Sequence, residues 1–111
     1  MKIERQTVGT VDVLTPCGPL VDQDGQHFSE VLLERVKLPN PRVVVCMSDV
    51  PYMDSTAVEG LLDATDEPGT GTTGLKLAGV TQACREILEL TGVSGHFGFF
   101  KTVQDAVKAF L

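Results

Sequence analysis

The sequence predicts an α/β domain in which a mixed sheet of four to five strands packs against about four helices. Two strand patterns separated by a short turn open the chain, at residues 2–7 and 10–17. Strand and helix patterns then alternate, so the order is β-β-α-β-α-β-α-β-α, which favours later strands that are parallel with right-handed crossovers. Because 111 residues bury one core but not two, residues 1–111 are expected to form a single domain.

Hydrophobic spacing supports each element of the first half. Apolar and polar residues alternate through residues 10–17, which predicts a strand buried mostly on one side. An amphipathic helix follows and ends before Pro39; its apolar residues have helical spacing and are Phe28, Val31, Leu32 and Val36. Residues 43–47 are continuously apolar, which is typical of a strand covered on both faces.

The second half repeats the pairing of a strand with a helix. A helix begins at about Thr56, and the polar, glycine-rich residues 63–74 predict a mobile loop. Residues 75–80 form the next strand pattern, and the helix after it stops at Gly92, since glycine is favoured just past a helix end. A short strand at residues 97–100 and a last helix capped by Thr102 complete the chain.

Charge and hydropathy narrow the class of partner. The 15 acidic and 9 basic residues give a net charge of −6, whereas binding to nucleic acid would need a basic stripe. A protein partner that carries basic residues is the better expectation. No apolar run approaches the length of a membrane helix, and Met1 leads into a polar segment rather than a signal region. We therefore expect a cytoplasmic protein without membrane insertion.

No cofactor or metal site is predicted. The three cysteines, Cys17, Cys46 and Cys84, are widely spaced in apolar contexts without a C-x-x-C pair, so each is expected to be a buried small residue. Residues 69–74 match G-x-G-x-x-G, but they follow a helix and precede a strand, which is the wrong context for a dinucleotide. They also fail as a phosphate-binding loop, since Leu75 stands where lysine is required.

Ser55 is a weak candidate for a catalytic nucleophile. Met53 and Ala57 flank it where the G-x-S-x-G elbow requires glycines. Folding could bring His27 or His96 near it, but neither has an obvious orienting carboxylate. A non-enzymatic protein is predicted, with a small serine enzyme as an open alternative.

The cluster Asp54-Ser55-Thr56 lies where a strand pattern gives way to a helix pattern, so it can serve as a cap, an anion site or a modification site. Thr56 and Glu59 have the T-x-x-E spacing of a capping box, which predicts that Thr56 caps the helix. Ser55 would then lie just outside the helix with a free hydroxyl. A phosphate on Ser55 would add a charge of about −1.5 to −2 beside Asp54 and repel a docked partner.

The chain resembles STAS domains of the anti-sigma factor antagonist type. The resemblance extends over nearly the whole chain and is carried by residues 52–56, by Gly18-Pro19-Leu20, by residues 77–80 and by residues 88–93, L-E-L-T-G-V. It implies a small β/α sandwich that binds a serine kinase acting as an anti-sigma factor and so frees a sigma factor. It further implies that the kinase phosphorylates Ser55, that a phosphatase restores the serine, and that Asp54 and Thr56 flank it in the interface.

Two positions depart from the family pattern. Ala57 stands where glycine is usual, and its methyl group is expected on the side from which a kinase would approach. Asp22 lies one position after the aspartate that often precedes the first helix, and it is the candidate for the same partner contact. A constitutive STAS subunit of a transport or signalling assembly, with the cluster serving only as a cap, is the alternative function.

Overall fold

A computed structural model describes residues 1–67 and 75–111 of the chain. Five strands form one sheet, namely β1 (Lys2–Val8), β2 (Val11–Cys17), β3 (Val43–Cys46), β4 (Leu75–Ala78) and β5 (Gly98–Phe100). The α-helices of these ranges are α1 (Asp22–Val36), α2 (Ser55–Thr65), α3 (Gln82–Leu90) and α4 (Val103–Lys108), and a 3-10 turn at Ser94–His96 precedes β5. The predicted mixed α/β sheet is confirmed, with five strands and four helices.

The strands lie side by side in chain order, from β1 at one edge to β5 at the other. β1 and β2 form an antiparallel hairpin in which Val8 pairs with Val11, and Gly9 at the turn has a φ of 62°. Glycine enters this left-handed region without steric cost, so the turn can be tight. β2, β3, β4 and β5 run parallel to one another, so the connections that follow β2, β3 and β4 all leave from the same end of the sheet.

Side-chain alternation divides the core between the two faces of the sheet. Leu14, Val45 and Leu77 point to the first face, where they pack with buried residues of α1, α2 and α3. Val13 and Val44 point to the second face, where they pack with α4. β3 is thus apolar on both sides, as its continuous apolar run predicts.

The predicted loop at residues 63–74 is wrong at its start. Asp63, Ala64 and Thr65 continue α2, because Ala64 is fully buried against the core and holds one more turn of helix in place. The glycine pattern at residues 69–74 lies outside the described residues. The predicted strand at residues 75–80 is also shorter than expected, since Gly79, with a φ of 63°, turns the chain after Ala78.

The expectation of three buried cysteines is confirmed for Cys84 alone. Cys17 and Cys46 are half-buried, and side-chain alternation along β2 and β3 places both on the second face of the sheet. Among the helices of the described ranges, none combines the length and the apolar character needed to cross a membrane.

Candidate functional site

The predicted site lies at the sheet end where β2 and β3 finish, and two connections are joined there. The backbone N–H of Leu20 donates to the carbonyl of Tyr52 (3.1 Å), and the N–H of Asp54 donates to the carbonyl of Leu20 (3.0 Å). Leu20 and Met53 form a parallel bridge, and both side chains are buried. The segment before α1 and the segment before α2 are therefore held together by backbone hydrogen bonds, which gives the site a fixed framework.

Asp54 caps α2 and also binds the start of α1. One carboxylate oxygen, Oδ1, accepts from the Ala57 N–H at 3.0 Å, and the other, Oδ2, accepts from the Asp22 N–H at 2.8 Å. These donors, with Asp22 contributing most, lower the pKa of the Asp54 carboxyl below its ordinary value. Asp54 is therefore ionised at neutral pH and is committed to two structural hydrogen bonds.

The predicted cap at Thr56 with Glu59 is wrong. Thr56 lies inside the first turn of α2, and the side chain that accepts from the helix backbone belongs to Asp54. Aspartate is at least as good a cap as threonine, and only the carboxylate can accept from both Ala57 and Asp22. The capping-box spacing exists in the sequence, but the helix begins two residues earlier than it indicates.

Asp22 reaches the site through its backbone. Its φ of 53° places it in the left-handed region, which aspartate tolerates better than most residues, and this conformation accompanies the hydrogen bond from its N–H to Asp54. The structure thus brings the Asp22 backbone next to Asp54, and the Asp22 side chain is exposed to solvent.

Ser55 and Thr56 present exposed side chains on the first turn of α2. Because Asp54 performs the capping, the Ser55 hydroxyl is not needed for it, and it forms no hydrogen bond to any residue in the described ranges. Thr56 lines a cavity of about 240 Å³ between α1 and α2, together with Glu59. The other lining residues include Glu30 and Asp63, so this groove beside Ser55 is acidic.

Ala57 does not face the approach to Ser55. Its side chain is 1% exposed and belongs to the main core, where it lies next to Gly25 of α1. A side chain on Gly25 would come to 3.5 Å from the Ala57 methyl group and 3.2 Å from the Leu20 backbone, so the two helices meet closely here. The expectation that this methyl would stand in the way of a kinase is wrong, because the methyl is buried.

Tyr52 is a feature of this surface that sequence reasoning missed. Its side chain is 51% exposed although its backbone carbonyl is fixed by the hydrogen bond from Leu20. It is the single tyrosine of the chain, which has no tryptophan. Its sequence position, three residues before Ser55, was the only available signal; its exposure depends on tertiary packing.

Within the described ranges, the side chains form neither a serine–histidine catalytic arrangement nor a metal site. His27 on α1 and His96 in the 3-10 turn are both exposed, and neither forms a hydrogen bond with Ser55. Among residues 1–67 and 75–111, no group of three or more histidine, cysteine and carboxylate side chains is placed to hold a metal ion. The arrangement around Ser55 therefore suits recognition or modification of an exposed hydroxyl.

Comparison with protein families gives a match over almost the whole chain. The family model described as "STAS domain" matches residues 2–106. Among curated proteins, none matches the sequence.

Solved structures share the fold at low sequence identity. An anti-sigma factor antagonist from Mycobacterium paratuberculosis superposes with a TM-score of 0.82 at 21% identity, covering 98% of this chain and 92% of that one. The phosphorylated form of the Bacillus cell fate determinant SpoIIAA gives a TM-score of 0.70 at 14% identity, with 96% and 97% covered. The murine anion transporter Slc26a9 gives 0.75 at 18% identity, where the match covers 93% of this chain but 18% of the transporter. At these identities the likeness establishes the fold.

Proposed function

This chain belongs to the STAS domain family, and we propose that it is an anti-sigma factor antagonist switched by phosphorylation of Ser55. In its dephosphorylated form the domain binds a serine kinase that acts as an anti-sigma factor, and this binding frees a sigma factor. The kinase brings the ATP, a phosphatase reverses the modification, and the domain itself catalyses nothing. We place these events in the cytoplasm.

The observation that supports this proposal best is the state of the Ser55 hydroxyl. It is exposed on the first turn of α2, and the capping hydrogen bond is made by its neighbour Asp54. A phosphoacceptor must be reachable, and it must be replaceable by a phosphoester without unfolding its helix. Ser55 meets both requirements, since negative charge is tolerated near a helix N-terminus.

The proposed switch is electrostatic. A phosphate on Ser55 would add a charge of about −1.5 to −2 next to the Asp54 carboxylate, which the low pKa of that group keeps ionised. Asp22 contributes a further exposed carboxylate to the same surface. If the phosphate costs the complex about 2.8 kcal/mol, binding weakens about a hundredfold, which is enough to release a partner.

Asp22, Asp54 and Thr56 are the proposed contacts around Ser55. Both carboxylate oxygens of Asp54 already accept from backbone N–H groups. Asp54 would therefore contribute to partner binding mainly through its charge and by positioning the first turn of α2. Asp22 and Thr56 have exposed side chains and are the groups that can bond the partner directly. A partner surface with basic residues fits this set.

The test is phosphorylation in vitro by the serine-kinase anti-sigma factors of the source genome, with ATP and intact-mass measurement. We expect one phosphate on the wild type, located at Ser55 by peptide mapping, and none on Ser55→Ala. Ser48→Ala is a matched control, because Ser48 is another exposed serine at the same end of the sheet and should not affect the reaction. Unmodified wild-type protein after incubation with every such kinase would refute the proposal.

A constitutive STAS subunit of a transport or signalling assembly is the second candidate. The fold match to a segment of the transporter Slc26a9 supports it, since there the same fold is one part of a larger chain. In that case the cluster Asp54-Ser55-Thr56 serves only to cap α2. A Ser55→Asp variant that binds its partner as tightly as the wild type would favour this alternative.

A further inference from the structure

A second site is indicated at the opposite end of the sheet, where the parallel strands begin. A cavity of about 530 Å³ lies there, and Thr10, Arg42, Lys76 and Phe110 are among the residues that line it. None of the described lining residues is acidic, although the whole chain has a net charge of −6. Two cationic side chains thus share one cavity in an acidic protein.

The strand register explains why these two cations meet. Lys76 pairs with Val44 across β3 and β4, and Arg42 lies two residues before Val44. Because side chains alternate along a strand, Arg42, Val44 and Lys76 all point to the second face of the sheet. The backbone carbonyl of Arg42 accepts from the Asp12 N–H at 2.8 Å, so the start of β3 is fixed to β2 at this point.

Lys76 is an unusual residue for a central strand. Its side chain is 8% exposed, and within residues 1–67 and 75–111 it is the one buried charged group. The ammonium lies 4.4 Å from the ring centroid of Phe110 and 5.8 Å from that of Phe100. Lys76 therefore places a largely buried positive charge at the wall of the cavity.

The Arg42 guanidinium is held at the cavity by Thr10, whose hydroxyl oxygen accepts from Nη1 at 3.1 Å. This bond uses one of the five guanidinium N–H groups, so several remain to bind an acceptor. Guanidinium groups match the two oxygens of a carboxylate or phosphate. Asn40 also lines the cavity.

We propose that this cavity binds a small oxyanion through a phosphate or carboxylate group held between the Arg42 guanidinium and the Lys76 ammonium. Burial lowers the pKa of the Lys76 ammonium, and an anion beside it would favour the charged form and raise that pKa again. The site lies at the end of the sheet opposite Ser55, so the proposal is independent of the phosphorylation switch.

The competing explanation is that the two cations serve only the last turn of α4. Ala109 and Phe110 border the same cavity, and carbonyl groups at a helix C-terminus attract cations without any ligand. Under that explanation, removing either charge would lower stability, but added anions would have no saturable effect. The two explanations therefore differ in a measurable way.

The experiment is a titration of the ¹⁵N-labelled protein with sodium phosphate and, separately, with sodium citrate, each against sodium chloride of equal ionic strength. We expect saturable shifts in the millimolar range confined to Thr10, Arg42, Lys76 and Phe110. Stronger binding of phosphate than of citrate would identify a phosphate site, and the reverse a carboxylate site.

Two variants and a control complete the test. Lys76→Met keeps the apolar stem and removes the charge, and Arg42→Gln removes the guanidinium from an exposed position. Each should weaken anion binding at least about tenfold, the expected loss for one charged hydrogen bond. Lys101→Met removes an exposed charge elsewhere and should leave the affinity unchanged. Shifts that do not saturate with either anion, or an affinity unchanged in both variants, would overturn the proposal.

Discussion

Replacing Asp54 with alanine is expected to lower the free energy of unfolding by about 2 kcal/mol. Loss of an N-cap costs about 1 kcal/mol, and loss of a hydrogen bond to a charged acceptor costs about as much at a partly exposed position. Both losses occur together because one carboxylate accepts from Ala57 and from Asp22. The measurement is urea unfolding followed by circular dichroism.

Two further variants separate the contributions. Asp54→Asn keeps one acceptor oxygen for the cap but turns an N–H₂ group towards the Asp22 N–H, so it should lose about 1 kcal/mol. Thr56→Ala removes the cap that the sequence predicts. It should change the free energy of unfolding by less than about 0.5 kcal/mol, because the Thr56 side chain is exposed on the first turn of α2. A larger loss in Thr56→Ala than in Asp54→Ala would refute the assignment of the cap to Asp54.

The Asp54 contribution also has a defined pH dependence. Its pKa is lower in the folded protein than in the unfolded chain, so its stabilisation is fully present above about pH 4, the ordinary pKa of aspartate. As the pH falls through the lowered folded-state pKa, the carboxyl is protonated in both states and the contribution disappears. The stability difference between wild type and Asp54→Ala should therefore shrink below about pH 4. A difference that stays constant through this range would show that the charged form of Asp54 is not what stabilises the fold.

Three other variants test separate features. Ser55→Asp should leave the unfolding free energy within about 0.5 kcal/mol of wild type, since an acidic residue suits the first turn of α2, while weakening kinase binding in a pull-down or titration. Gly60→Ala should lower the free energy of unfolding by about 1 to 3 kcal/mol in thermal unfolding, because the new Cβ would lie 2.6 Å from the Ser29 Cβ and overlap that side chain. Gly95→Ala is the control, since a Cβ at Gly95 would have no neighbouring atom within 4 Å. Leu88→Ala should lower the free energy of unfolding by about 3 to 5 kcal/mol, since the Leu88 side chain of α3 is fully buried. An unchanged free energy in denaturant unfolding would contradict that packing.

Hydrophobic spacing was sufficient to predict the order of the elements. The continuous apolar run in β3 and the helical stripe of α1 depend on burial alone, and burial dominates the energetics of this fold. The cap of α2 could not be predicted in this way. The capping-box spacing of Thr56 and Glu59 is local, whereas the donor that favours Asp54 is the Asp22 N–H, 32 residues away in the chain. Tertiary contacts therefore override local propensity at the site itself.

The expectation for Ala57 came from the glycine that is usual at this position in the family, and it is wrong because Ala57 shares the buried face of α2 with Val58 and Leu61. Ser55 lies outside that apolar face and is exposed. The half-burial of Cys46 is also a property of the tertiary packing, which the continuous apolar run of β3 does not reveal.

The rigid framework under Ser55 bears on how a phosphate would act there. Backbone hydrogen bonds join Leu20 to Tyr52 and to Asp54, and the Asp54 carboxylate fastens the start of α1. Asp54 already caps the first turn of α2, so phosphorylation of Ser55 would remove no capping hydrogen bond. We therefore expect the phosphorylated and unmodified domains to share one backbone conformation, with spectral changes limited to the residues around Ser55. Release of the partner would then come from the added charge on a surface whose shape does not change. The loss of affinity caused by the phosphate should therefore become smaller as the salt concentration rises.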